Sequence, residues 1–344
     1  YIYIYMSGTE IIFTGTGELS EAEVNAVFDP YSSGTFFDVI IEGYNSIGVS
    51  AFSYKPNVLT VTIGSSVTTI GNRAFVSCTR IKTINIPDSV TNLGSQVFQS
   101  CGVLTATIGN SITLLDQTFN TCVSLTSVTI GSSVTTIGYL AFQSCKIANI
   151  VIPPSVKTIG QEAFKKTDLT SVNIPDSVTT IGQDAFRQCK SLLSVTIGNS
   201  VITIGKDAFR TCEELTSVNI PDSVKTIGES AFSGCAELTS IDIPDSVTNI
   251  NSYAFAECAK LLSVIIGNSV ETISAYTFDR CMKLSSVIIG SSVKIIGSNA
   301  FNGCYVLTSV NIPNSVTTID LQAFNICRGL TSVNIPDSVK IIGS

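Results

Sequence analysis

Apolar positions along this chain recur with a long fixed period. Phenylalanine sets it: Phe52, Phe75, Phe98, Phe119, Phe142, Phe164, Phe186, Phe209, Phe232, Phe255, Phe278, Phe301 and Phe324 stand 23 residues apart, with three gaps of 21 or 22. The other four phenylalanines all precede residue 40. A period of this size marks a repeat architecture, and it overrides the division into domains that 344 residues would otherwise imply. One unit reads AFRTCEELTSVNIPDSVKTIGES and the next AFSGCAELTSIDIPDSVTNINSY.

Within a unit the apolar slots predict one coil. Leu215, Val218 and Ile220 fall in Leu-x-x-Val-x-Ile, whose last two alternate with polar residues as in a short half-buried strand. Pro-Asp-Ser or Gly-Asn-Ser then turns the chain. The return segment Val224-x-x-Ile227-Gly228 brings two further apolar side chains inward. The segment x-x-Ala-Phe-x-x-Cys suits a single helical or 3₁₀ turn, with Phe and Cys at i and i+3 on one face. Such a coil cannot bury its own apolar face, so it needs neighbours above and below, the strands forming a parallel sheet. The expected fold is therefore an α/β solenoid of about thirteen repeats over residues 36–344. Residues are missing beside Cys145 and Thr167, at coil corners, where a deletion leaves the ladders intact.

The ends differ from the repeats. Ser20 and Glu23 form a capping box, predicting a short helix over about residues 21–28. With a hairpin before it, this helix would cap the first coil within residues 1–35. The sequence stops at Ile341-Ile-Gly-Ser344, inside a return segment, and the expectation there is an uncapped end available for self-association.

At this point the pattern SVTTIGxxAFxxCxxLTSVxIPxSVTxIG resembles the BspA-like, or treponemal-type, leucine-rich repeats over about residues 36–344, and Ile11 to Gly17 resembles the hairpin that begins many such proteins. The resemblance implies a right-handed coil with its parallel sheet on the concave face and helical turns on the convex one. It also implies surface or secreted roles in attachment, and it brings no catalytic motif.

Composition narrows the chemistry. The chain has no His and no Trp, only 13% charged residues and a net charge of −7. That balance argues against nucleic acid or anionic membrane as partner, both of which draw on basic patches. No stretch approaches a membrane span, the start lacks the marks of a signal peptide, and no Asn-x-Ser/Thr occurs.

Eleven cysteines stand three residues after a ladder phenylalanine, one per coil. Stacked parallel side chains would hold Cβ atoms near 5 Å, wider than the ~3.8 Å of a disulfide, and without His or Cys-x-x-Cys a zinc site is not expected. Buried free thiols acting as small hydrophobes are the expectation. Thr167, which fills the slot in one coil, fits it. The serine column Ser133, Ser155, Ser177, Ser200, Ser223, Ser246, Ser269, Ser292, Ser315 and Ser338 lacks a base to make it nucleophilic and suits backbone hydrogen bonding at the turn. Glu162 with Lys165, Asp184 with Arg187 and Asp207 with Arg210 are expected as solvated i, i+3 pairs on a helical turn, with a basic strip of the three cations as the alternative. Asp222 and Asp245 lie in adjacent coils, but two carboxylates fall short of a Ca²⁺ site. No phosphate-binding glycine motif is present, and no cofactor is expected.

Function is then expected in the surface of the coils. Strand residues flanking the inward Val point outward and are mostly small and polar, as in Ser217, Asn219 and Ser240. Two neighbouring coils depart: Ile265 and Ile288 stand outward, Leu262 replaces the usual Thr, and Asp242 lies at their rim. These residues form a candidate contact patch, weighed against the plain strand propensity of Ile. The sequence thus points to a non-catalytic, extracellular or cell-surface recognition module for a protein or glycan. The competing readings are a self-assembling scaffold or spacer, a cytosolic setting and, more remotely, ice binding through Thr rows.

Overall fold

The computed structural model describes residues 3–29 and 34–343. It resolves into two compact units, Tyr1–Asp168 and Leu169–Ser344, each a parallel β-solenoid. The first unit opens with an antiparallel hairpin, Tyr3–Ser7 against Glu10–Thr14. The second hairpin strand continues in parallel to Phe37–Glu42 and then Val58–Ile63, where the coils begin. Between them helix α1 spans Glu21–Phe28, held at its start by Ser20 and Glu23, each accepting the other's backbone N–H. It buries Val24, Val27 and Phe28.

Most coils carry two short parallel strands. The first is the alternating one: Ser194–Thr196 pairs with Ser217–Asn219 in register, Val195 against Val218. The inward Val and Ile are buried and the flanking Ser and Asn are exposed, as period-2 alternation requires. The second lies in the return segment, where Thr203–Ile204 pairs with Thr226–Ile227. The sequence showed only apolar spacing there, because two residues are too few to display a period. The return ladder of the second unit runs from Thr180–Ile181 to Ile341–Ile342, whereas the alternating ladder breaks into three-stranded sheets, one gap falling between Ser217–Asn219 and Ser240–Ile243.

The expected helical turns are not there. Among the described residues α1 is the sole helix, and the Ala-Phe-x-x-Cys segments are consecutive turns. Their hydrogen bonds explain the difference. In the Phe232 coil, Ala231, Ser233 and Cys235 donate to carbonyls three residues back, while Ser230, Phe232 and Gly234 donate to Ser252, Ala254 and Ala256 of the next coil. Half of the donors an α-helix would keep for itself are spent on the neighbouring coil. To aim them there the chain adopts left-handed φ at the positions two before and two after Phe, 54° at Ser230 and 73° at Gly234. Most coils place ordinary residues at both positions, at ~1–2 kcal/mol each. Only Gly234 and Gly303 show that conformation in the sequence.

Inside the coils the phenylalanines stack. In the first unit Phe52, Phe75, Phe98, Phe119, Phe142 and Phe164 follow one another at 5.0–5.7 Å between ring centres. In the second, Phe186 through Phe324 do so at 5.2–5.6 Å with rings within 15° of parallel. All eleven cysteines are free and buried. Cys235 Sγ–H donates to the Phe209 carbonyl at 3.3 Å and Cys258 to Phe232 at 3.3 Å. Each thiol thereby ties its coil to the one before. Burial pushes the Cys281 thiol up, and those of Cys122 and Cys258 to about 12. Native alkylation of this chain at pH 8 should therefore take up almost no label, and addition of denaturant should release eleven reactive thiols. Rapid native labelling of several cysteines would contradict the enclosed column.

Candidate functional site

The coil interior supplies no reactive centre. In the serine column Ser155, Ser223 and Ser315 each donate to a backbone carbonyl of the preceding coil at 2.7 Å, whereas the hydroxyls of Ser246 and Ser338 are buried with no hydrogen-bond partner among the described residues. The three i, i+3 ion pairs form, at 2.7 Å for Glu162–Lys165, 2.9 Å for Asp184–Arg187 and 3.1 Å for Asp207–Arg210. In two of them the acid is not solvated as expected: Asp184 and Asp207 are each only 4% exposed. The tight turn that replaces the helix folds these carboxylates inward, and their arginines cover them. Among the described residues no group of three or more His, Cys, Asp or Glu is placed to hold a metal ion.

The outward strand face is where the coils differ from one another. Ile265 is 43% exposed, Ile288 57% and Leu262 50%. Their buried neighbours Val264, Ile266 and Val287 show that these are outward positions and not misplaced core. In the ladder Asp242 stands opposite Ile265, and Ile265 opposite Ile288, so the three form one row across adjacent strands. Ser240 begins the parallel row Ser240, Ser263, Ser286 on the same face. Leu262 lies one residue before that row, donating to the Thr239 carbonyl. Ser217 and Asn219 belong to the neighbouring three-stranded sheet, across the break in the ladder.

Asp242, Ile265 and Ile288 also line an open groove of about 510 Å³, with Asp222 and Asp245 at its acidic side. Leu262, Ser240, Asn219 and Ser217 lie outside it. The groove arises from the turn that follows each strand. Pro244 is succeeded in the next two coils by Gly267 and Gly290, and a side chain at either glycine would collide with the backbone of the preceding coil. Loss of the proline ring in two successive coils leaves the recess. The order Pro, Gly, Gly occurs once more, at Pro87, Gly109 and Gly131, and there too a groove forms, of about 410 Å³. That signal was present in the sequence, but its meaning depends on stacking. Asp245 Oδ1 accepts the Asn268 N–H at 2.6 Å, which fixes the carboxylate at the groove wall.

A second surface feature lies in the first unit, where Arg80, Lys82, Leu59 and three threonines line an open basic groove. The Arg80 guanidinium sits 4.3 Å over the Phe36 ring. Leu193 repeats the Leu262 substitution and is 49% exposed, so a lone leucine in that slot is not by itself distinctive.

Comparison with known proteins places this geometry. The BspA type Leucine rich repeat region (6 copies) matches residues 45–167, 157–284 and 225–344. The chain is similar to a leucine-rich repeat protein of Bacteroides ovatus, with 26% identity and a TM-score of 0.67 over 100% of this chain and 89% of that one. A leucine-rich repeat protein of Eubacterium ventriosum shares the fold at 22% identity and a TM-score of 0.51, over 98% and 95% of the two chains. No curated protein matches the chain.

Proposed function

This chain belongs to the BspA type leucine-rich-repeat family, and on that premise we propose that it is a non-catalytic recognition module of an extracellular or cell-surface protein, binding a partner protein through its outward strand face. One observation carries the reading: Ile265 and Ile288, exposed and paired across adjacent strands, in slots that most other coils fill with Asn, Thr or Asp. A fold that needs only inward apolar residues gains nothing in core burial from these two, and exposed apolar rows with a polar rim are what interfaces use. Protein is favoured over glycan because the row offers aliphatic surface and no aromatic ring. No helix among the described residues is long and apolar enough to cross a membrane.

The test is a binding screen of the labelled chain against immobilised matrix and serum proteins, repeated with Ile265→Asn and Ile288→Asn combined. The variant restores what other coils carry, so it should fold and melt as the parent does. Binding that falls at least tenfold in the double variant supports the reading. Binding that is unchanged assigns recognition to another surface. Concentration-dependent fibres in sedimentation, abolished by the same variant, would replace recognition with self-assembly.

A further inference from the structure

The groove beside Ile265 and Ile288 has a chemical character that its twin in the first unit lacks. Both grooves are cut by the same order of Pro, Gly and Gly after successive strands. In the first unit the outward positions at that place are Asn85, Thr107 and Thr129. In the second they are Asp242, Ile265 and Ile288, with Asp222 and Asp245 beside them. Backbone construction is thus held constant while the lining changes from a polar one with a single acid, Asp88, to an apolar one with three acids.

The acids lining this groove have no base. Five glutamates of the second unit do meet a cation one coil away: Glu213 with Lys190, Glu229 with Lys206, Glu237 with Lys260, Glu257 with Arg280 and Glu271 with Lys294, at 2.6–3.2 Å. Among the described residues Asp222, Asp242 and Asp245 are in no ion pair, and Asp245 is partnered only by the Asn268 N–H. Three carboxylates lining one groove give it a negative character that favours a cation there. Ile265 and Ile288 continue the strand row from Asp242 and supply its aliphatic surface.

We propose that this groove receives an extended peptide segment in which a Lys or Arg stands two residues from a Val, Ile or Leu, so that both side chains face the groove. The cationic head lies toward Asp222, Asp242 and Asp245, and the neighbouring aliphatic side chain lies on Ile265 and Ile288. An extended segment is the form that fits, because every second side chain points to the same face and two of them can enter the groove together. The inference rests on the strand face being the contact surface and adds the chemistry of what it contacts.

The probe is a set of labelled octapeptides with Ser at every second position and, on the face between, Lys alternating with Val, Lys alternating with Ser or Glu alternating with Val (Lys-Val, Lys-Ser and Glu-Val), titrated against the full chain by fluorescence anisotropy at low and at 0.5 M salt. Lys-Val is expected to bind with one site per chain, at least tenfold tighter than Lys-Ser or Glu-Val, and to weaken at high salt. Asp242→Asn with Asp245→Asn should reduce its affinity about tenfold, as should Ile265→Thr with Ile288→Thr. Installing Asn85→Asp, Thr107→Ile and Thr129→Ile in the twin groove should raise the stoichiometry to two. Equal binding of Lys-Val and Lys-Ser would reduce the effect to diffuse attraction by an acidic protein and overturn the proposal. So would binding untouched by the Asp or Ile variants. If no peptide binds, yet Ile265→Asn with Ile288→Asn still abolishes capture of a screened protein, the peptide chemistry is wrong and the recognition reading stands. If neither responds to the Ile variants, both fail.

Discussion

Replacing Phe232 by alanine should cost this protein ~3–5 kcal/mol of stability, the range for removing an aromatic from a close-packed interior. Phe232 is fully buried, with Phe209 and Phe255 stacked on either side at 5.2 and 5.4 Å. Neighbouring coils cannot close on the gap, because the backbone of this segment is fixed by hydrogen bonds running from Ser230, Phe232 and Gly234 into the next coil. The cavity therefore persists, and with it the full penalty. In a stacked array each coil is stabilised by its neighbours, so the damage falls on the coupling between the coils above and below as well as on one coil. The expected thermal melt, followed by circular dichroism, has a lower midpoint and a broader or two-step transition. Thr239→Ala, at an exposed position just before the strand of the same coil, should leave the melt within ~0.5 kcal/mol of the parent. A Phe232→Ala melt that matches the parent would place the ring outside the core.

Unfolding at alkaline pH should be the other large effect, and its sign follows from the buried thiols. Desolvation pushes Cys122 and Cys258 to about 12, against 9.0 for an exposed thiol, and moves Cys145, Cys212, Cys235 and Cys281 upward for the same reason. Below pH 9 both folded and unfolded chains hold these protons, and the stability from burying neutral thiols is fully present. Between about pH 9 and 12 the unfolded chain releases protons that the folded chain keeps, so stability falls as pH rises through that window. Each thiol adds ~1.4 kcal/mol per pH unit to the slope, and three acting together add ~4. Urea titrations at pH 8, 9, 10 and 11 should show a midpoint that is level at first and then drops steeply. Cys212→Thr, Cys235→Thr and Cys258→Thr combined should flatten the drop, since Thr167 already fills this slot in one coil and donates to the Phe164 carbonyl at 2.8 Å. A slope unchanged in the triple variant would assign alkaline unfolding to lysine and tyrosine titration instead.

The groove has a different relation to stability. Ile265 and Ile288 are exposed, and among the described residues Asp242 is in no ion pair, so their replacement should leave both transitions unchanged. Core and contact surface are thus separable by experiment: the ladder phenylalanines and thiols set the folding energy, and the outward strand row is free to vary.

What the sequence determined by itself was the period and its inside: phenylalanine every 23 residues, cysteine three later, Val and Ile alternating with polar residues, and so a stack of coils with a free-thiol column. Those features were legible because burial repeats identically in every coil, and repetition makes a pattern out of slots that singly mean little. The outward row at Asp242, Ile265 and Ile288 was legible for the converse reason, as a departure from that repetition. Three things only the tertiary structure decided. The Ala-Phe-x-x-Cys segment became turns, because donors that local spacing assigns to a helix are claimed by the next coil, at the cost of left-handed residues such as Ser230 that carry no mark in the sequence. The return segment became a second ladder, because a two-residue strand is defined by its partner and not by its own alternation. And the turn acids Asp222 and Asp245 joined Asp242 in one groove, because residues 20 and 23 positions apart become neighbours only when coils stack and two successive glycines leave space between them.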